Sequence, residues 1–395
     1  MISALSAEEA TYKTKTGIPI RNLWHMLLYV WNSTHLFGRW RSEIENAPNL
    51  DALLASILSF QIQQRLRIGL GREYRKETGE ICGIRGCVDF NESLRRMSFS
   101  HVRTYCRYQV FQANVPKNQI IKSTLARLVK VGIFGLDLQS SSILRTKLRR
   151  LVKEMEGIDI IELKPPIIRR EQLKQHDADY RLMLSICYLL YLRLMPRETP
   201  NDIFLPELNR DSFILYDIYE KFVAEFYKLR LSEWNVWPQR TVQWPSKIYS
   251  KYLPVMKPDL TLRHRKTKCL IILDTKLTKS SLVKGQWENI TFNQEHLYQI
   301  YAYVKSQEGI SKNHLSATGI LLYPSVDWSL KEKVAIQGHE FRWETVDLSK
   351  PWEDIEKELI AIPTRVLKDK LARSGGSLLN SNKEHAPFFT QQSLS

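Results

Sequence analysis

Two aspartates and a lysine flank a basic turn in "MKPDLTLRHRKTKCLIILDTKL", residues 256–277. Asp259 follows a proline, and Asp274 closes an apolar run two positions before Lys276. If Arg265–Lys268 turns the chain between antiparallel strands, the symmetric register centres between 266 and 267 and sets Asp259 opposite Asp274. Cross-strand partners stand about 4.5–5.5 Å apart at Cβ, near enough for two carboxylates to share a divalent ion. Residues two apart on a strand project from one face, so Lys276 joins Asp274 while Thr275 points away. Neighbouring carboxylates raise each other's proton affinity unless a cation lies between them. Hard oxygen ligands with open positions suit Mg²⁺ (or Mn²⁺), which keeps waters and takes phosphate oxygens. Such an ion acidifies a bound water and offsets charge developing at phosphorus, while a lysine orients or deprotonates the water or stabilises the transition state. The pattern therefore points to metal-dependent phosphodiester hydrolysis, against the plainer reading of an end-of-strand ion pair.

The chain contains its own control. "GIDIIELKPP" (157–166) also places an acid two before a lysine, Glu162 and Lys164, but lacks an upstream Pro-Asp strand and runs into prolines. Downstream of the candidate hairpin, "NQEHLYQIYAYVKS" (293–306) carries Gln299 and Tyr303 four apart, on one helical face. They read as surface residues or as supports for DNA or the lysine. Glu220, within "DIYEKFVAEF" (217–226), reads as a third metal-side carboxylate or as a solvated residue beside Lys221.

The elements that must position these groups follow from periodicity. Helical patterns cover 18–32, 50–67, 118–132, 140–156, 171–195, 212–234 and 292–306, and a strand pattern covers 318–324. Residues 72–112, with short alternating runs, glycines and an Asn-Glu turn, read as β-rich. Three prolines and poor periodicity in 195–211 mark a domain boundary. The Ser/Asn-rich stretch 372–395 reads as a disordered tail. The 395 residues are 43% hydrophobic and 25% charged, and the net charge of +16 points to a polyanionic partner. Five cysteines with no CxxC pair, and no apolar leader, fit reduced thiols in a cytoplasmic protein. No apolar run reaches the roughly 20 residues of a membrane span, and no GxxxxGK[ST] loop is present.

Asp259, Asp274, Lys276, Gln299 and Tyr303 together resemble the PD-(D/E)xK nuclease core with the QxxxY extension of RecB-like nucleases. "IPIRNLWHMLLYVW", "GIRGCVDF" (83–90), "YEKFV" (219–223), "KPDLTL", "LDTKL" and "LYQIYAYV" (297–304) occur in an order that resembles the McrC family over about residues 18–345. That resemblance implies an α/β protein with two domains. An α+β N-terminal domain (1–200) would bind a partner, and a restriction-endonuclease-like domain (205–365) would carry a mixed sheet flanked by helices. It implies a Mg²⁺-dependent endodeoxyribonuclease subunit of a 5-methylcytosine restriction system acting on methylated double-stranded DNA. It also implies a McrB-like AAA+ hexamer that binds the GTP, consistent with the missing phosphate loop. Asp259, Asp274 and Glu220 would hold the metal; Lys276, Gln299 and Tyr303 would complete the catalytic set. A stand-alone RecB-like repair nuclease and a non-catalytic DNA-binding activator are the competing readings.

Overall fold

The computed structural model describes residues 17–132, 138–170, 178–194, 207–245, 250–276, 282–284 and 290–380. The chain forms an α/β protein divided into two compact units, one holding His35–Asp211 and the other holding Lys15–Thr34 with Ser212–Ser395. Most of the proposed boundary at 195–211 lies outside the described residues.

Helix α1 (Ile20–Val30) belongs to the second unit, although its place in sequence assigns it to the first. Ile20, Leu23, Trp24, Met26, Leu27, Leu28 and Tyr29 are all buried, and apolar residues so spread around a helix need cover on several sides. The second unit supplies that cover: the Asn22 amide donates to the Leu348 and Lys350 carbonyls, both at 2.8 Å, and the Tyr29 hydroxyl donates to Glu356 at 2.7 Å.

In the first unit α2 (Arg41–Asn46), α3 (Leu50–Ile68), α5 (Pro116–Val131), α6 (Leu138–Glu154), α7 (Pro165–Arg170) and α8 (Ala178–Leu194) form a helical body. Asn49 caps α3, its side chain accepting from the Ala52 amide at 2.9 Å. The apolar segment in α8 buries Met183, Ile186, Cys187 and Leu190, as a core helix does. The β-rich stretch is an antiparallel sheet in the order β1 (Glu73–Cys82), β3 (Arg103–Gln112), β2 (Cys87–Val88). Where Asn91-Glu92 suggests a turn, the chain instead forms α4 (Phe90–Arg95). The Asp89 carboxylate accepts from the Glu92 amide and caps that helix.

The second unit is built on a six-stranded mixed sheet. Its strands are β4 (Trp234–Pro238), β5 (Leu260–His264), β6 (Leu270–Thr275), β9 (Thr318–Ser325), β10 (Lys331–Ile336) and β11 (His339–Asp347). They lie in the order β10-β11-β9-β6-β5-β4. The β6, β9 and β11 strands are parallel and β4, β5 and β10 antiparallel to their neighbours. Every residue of β6 and β9 is buried, as continuous apolar runs require of central strands covered on both faces. A short pair, β7 (Leu282–Lys284) with β8 (Ile290–Phe292), precedes α10 (Gln294–Lys305). Leu270, Ile272, Leu321, Phe341 and Trp343 pack with Ile300 and Val304 of α10 on one face. Gly319 is needed there: a Cβ would stand 2.8 Å from Phe341 and 3.0 Å from Ile300, so α10 can seat only over glycine. Helices α9 (Glu207–Arg230) and α11 (Trp352–Asn380) meet where the Tyr227 hydroxyl donates to the Leu359 carbonyl at 3.0 Å.

Residues 372–380, read from composition as part of a disordered tail, continue α11. Extending a helix already anchored by buried Ile355, Leu359, Ile362 and Val366 requires no new nucleation. The remainder, 381–395, lies outside the described residues. Among the described residues no helix is long and apolar enough to cross a membrane.

His25 on α1 supplies a pH-dependent term. Burial, then the Arg21 charge, holds its imidazole down to about 4, with Glu353 and Glu356 opposing. The unfolded chain binds a proton near pH 6.5 that the folded chain refuses, so stability should fall between about pH 6.5 and 4, by up to about 3 kcal/mol. Denaturant unfolding across that range should show a shallower acid loss in His25→Gln; parallel curves for the two proteins would refute the assignment.

Candidate active site

The β5–β6 ladder pairs Leu260 with Leu273, Thr261 with Ile272 and Leu262 with Ile271. Continued by one residue, this register sets Asp259 opposite Asp274 at the end of β6, the pairing expected from a turn centred between 266 and 267. The location is the carboxyl end of a parallel strand, where open α/β sheets bind ligands because the strand ends there and loops diverge. The Lys276 N–H donates to the Leu322 carbonyl of β9 at 2.9 Å, fixing the backbone just beyond β6.

Side chains then converge. Lys276 Nζ lies 2.5 Å from Asp274 Oδ2 and donates to Gln299 Oε1 at 2.6 Å. Gln299 Nε2 in turn donates to the Tyr303 hydroxyl at 2.8 Å. Gln299 and Tyr303 thus form a strut from α10 to the lysine, with Tyr303 buried against the sheet and Gln299 exposed. The ammonium has little freedom, since one partner comes from β6 and the other from α10.

Asp259 departs from a simple face-to-face carboxylate pair. Its Oδ2 accepts from the Thr275 amide at 2.7 Å and from the Thr275 hydroxyl at 2.5 Å. The strand end is thereby capped, and only the other oxygen is left open. Even so, burial and the Asp274 charge push the Asp259 carboxyl up to about 6, against the pull of Thr275 and Lys276. Asp274 is also raised, by burial and the Glu220 charge, with Lys276 opposing. Glu220 on α9 is raised by burial and then by Asp259. Three carboxylates therefore act on one another at the end of β6: Asp259 and Asp274, which also feel Lys276, and Glu220 on α9.

Glu220 is held back by its neighbour: Gln239 Nε2 donates to its Oε1 at 2.5 Å. Among the described residues no three Asp, Glu, His or Cys side chains close on a point as a full ion cage. The donor set nonetheless fits a hard divalent cation. Its oxygens are carboxylate oxygens, buried at Asp274 and half-buried at Asp259 and Glu220, and mutually repelling, and Mg²⁺ takes one or two carboxylates and fills its remaining positions with water and phosphate.

Four contributors escape the reading of the sequence, one of them despite a spacing that could have found it. Gln239 has φ of +45°, unusual for a residue with a side chain, and its N–H donates to the Asp259 carbonyl at 2.8 Å. The Tyr216 hydroxyl donates to the Thr275 carbonyl at 3.3 Å. His296 Nδ1 and the Tyr323 hydroxyl are 3.0 Å apart, and burial, then the Lys276 charge, lower the His296 imidazole. Of these, His296 sits three residues before Gln299 on the same helical face, a spacing visible in sequence. By contrast Glu162 and Lys164 of the first unit pair with each other at 2.9 Å on an exposed stretch.

Comparison with known proteins agrees with this architecture. A chain from the half-complex of the tetradecameric assembly of Thermococcus gammatolerans McrB AAA+ hexamers with bound McrC superposes with a TM-score of 0.52 at 16% identity. The match covers 89% of this chain and 76% of that one, and it speaks to fold alone. The Type IV methyl-directed restriction enzyme EcoKMcrBC of Escherichia coli (strain K12) is 27% identical over 355 residues, 89% of this chain and 99% of that protein. The model of a family described as "McrBC 5-methylcytosine restriction system component" matches residues 9–324, through the hairpin and the helix of Gln299 and Tyr303, and the chain belongs to that family.

Proposed function

We propose that this chain is the nuclease subunit of a modification-dependent restriction system, hydrolysing DNA phosphodiester bonds in concert with a GTP-hydrolysing AAA+ partner. One observation carries the proposal: at the mouth of β6, Asp274 ion-pairs with Lys276, which hydrogen bonds tie through Gln299 to Tyr303, and Asp259 is held beside them by Thr275.

Asp259 and Asp274 would hold the divalent cation, and Glu220 would add negative charge from behind Gln239. When bound, Mg²⁺ or Mn²⁺ supplies a Lewis acid that acidifies water and offsets charge at phosphorus. Lys276, oriented by Asp274 and Gln299, donates to the attacking water or to a non-bridging phosphate oxygen. A preorganised cation of this kind lowers the barrier because it need not reorganise as charge develops. Water attacks phosphorus and gives up a proton to solvent, the P–O bond to the leaving sugar oxygen breaks, and that oxygen takes a proton from solvent.

Family membership, and the McrB AAA+ hexamers that accompany the structural relative, support an AAA+ motor and a methylated substrate. The first unit also presents exposed apolar side chains at Phe90, Leu94, Met97 and Val102, a surface suited to a protein partner. Reconstitution tests this reading against its rivals. The chain mixed with its cognate GTPase should cut methylated plasmid only with GTP and Mg²⁺, and a chelator should stop cleavage. Cutting of unmethylated DNA by the chain alone would instead identify a stand-alone nuclease.

A further inference from the structure

The sheet face that carries the catalytic aspartates continues outward to a group of cations around one tryptophan. Thr261 and Arg263 of β5 lie opposite Ile272 and Leu270 of β6, and opposite Trp237 and Asn235 of β4. Cross-strand partners share a face, so Trp237 and Arg263 stand on the side of Asp259 and Asp274. The guanidinium carbon of Arg263 is 5.1 Å from the Trp237 ring centre, and that of Arg240 is 5.5 Å from it. Arg240 directly follows Gln239, whose hydrogen bonds reach Asp259 and Glu220, so the group borders the pocket.

Among the described residues neither arginine makes an ion pair, and Arg263 Nε is buried with no acceptor. A third element faces the same cations: burial, and then the charges of Arg240 and Arg263, lower the His314 imidazole. A buried donor without an acceptor is costly, and unneutralised guanidiniums held in place by an aromatic ring are prepared for an anion. Arg263 is four residues along β5 from Asp259, about 13 Å at ~3.3 Å per residue. Along one DNA strand that spans about four nucleotides at ~3.4 Å each.

We infer that Trp237, Arg240 and Arg263 form a clamp for the phosphate backbone of duplex DNA flanking the cut. This clamp rests on the nuclease reading and adds the surface that seats the substrate. Base stacking by a single strand is the weaker fit, because guanidiniums already cover Trp237. Bonds to phosphates carry no sequence information, so the clamp sets register and orientation while specificity lies elsewhere.

The test is binding of the full chain to a labelled unmodified duplex, by anisotropy across a salt series, with Ca²⁺ replacing Mg²⁺. Arg240→Ala/Arg263→Ala should weaken binding about tenfold or more near 0.1 M salt and lower the log–log salt slope by about two, one for each phosphate no longer neutralised. Arg240→Lys/Arg263→Lys should keep the slope, because it keeps both charges, and thermal melting of each variant verifies the fold. An unchanged slope in the alanine variant, with the wild-type chain still cleaving alongside its partner, overturns the clamp alone. Failure of the wild-type chain both to bind the duplex and to cleave overturns the clamp and the nuclease reading together.

Discussion

Lys276→Ala should reduce DNA cleavage by at least about 10³-fold, the scale on which a preorganised transition-state donor or proton-transfer group contributes. The side chain is 14% exposed and is held by Asp274 and Gln299, so its ammonium acts at a fixed point. Alanine removes the charge and leaves Asp274 to face the substrate without its cation. Lys276→Arg should recover little, because the planar fork of arginine does not reproduce a compact ammonium held between a carboxylate and an amide. Residues acting as one unit are non-additive, so Lys276→Ala combined with Asp274→Ala should be hardly worse than either alone. Single-turnover cleavage with the GTPase partner present measures all three. Substantial metal-dependent cutting by Lys276→Ala would remove the lysine from the mechanism and return the hairpin to a structural role.

Asp259→Asn should move activity and stability in opposite directions. Its carboxylate is raised by burial and by Asp274, so the ionised form is strained in the metal-free protein at neutral pH. An amide still accepts from the Thr275 amide and hydroxyl through its carbonyl, and it relieves the repulsion. The metal-free variant should therefore be more stable than wild type by ~1–3 kcal/mol, the cost attached to a carboxylate displaced this far. The sign follows from linkage: a carboxyl raised on folding binds protons more tightly in the folded chain, so its ionisation destabilises above about pH 6 and costs little below pH 4. The stability gain should accordingly fade in acid. Cleavage should drop by about 10²–10³-fold, and the rise in melting temperature that Mg²⁺ gives wild type should shrink, because one of two proposed ligands has lost its charge. A variant with an intact magnesium shift would exclude Asp259 from metal binding.

Much of this site is legible in the chain itself. An apolar run ending in Asp-Thr-Lys reads as a buried central strand, and a turn centred between 266 and 267 fixes its partner by counting. The register follows because a slip of one residue would exchange the faces of every side chain on β5. The spacing of Gln299 and Tyr303 gives their common helical face for the same reason of period. Glu220 is ambiguous in sequence because proximity to a pocket on another element has no local signature. Gln239 is harder still: its role depends on a left-handed backbone at the edge of β4.

Counting and periodicity thus determined the hairpin register and the common helical face of Gln299 and Tyr303, while the two-domain α/β architecture was what the family resemblance implied. Only the tertiary structure decided that α1 joins the second unit. Its sequence shows that it must be covered, and not by what. Only the packed chain shows that an oxygen of Asp259 is spent on Thr275, and that Lys276 is braced from α10 as well as β6. The physical reason is common to these cases. Patterns along a chain report the face a residue occupies within its own element, whereas its charge environment and hydrogen-bond partners are set by whichever elements the packed core brings against that face.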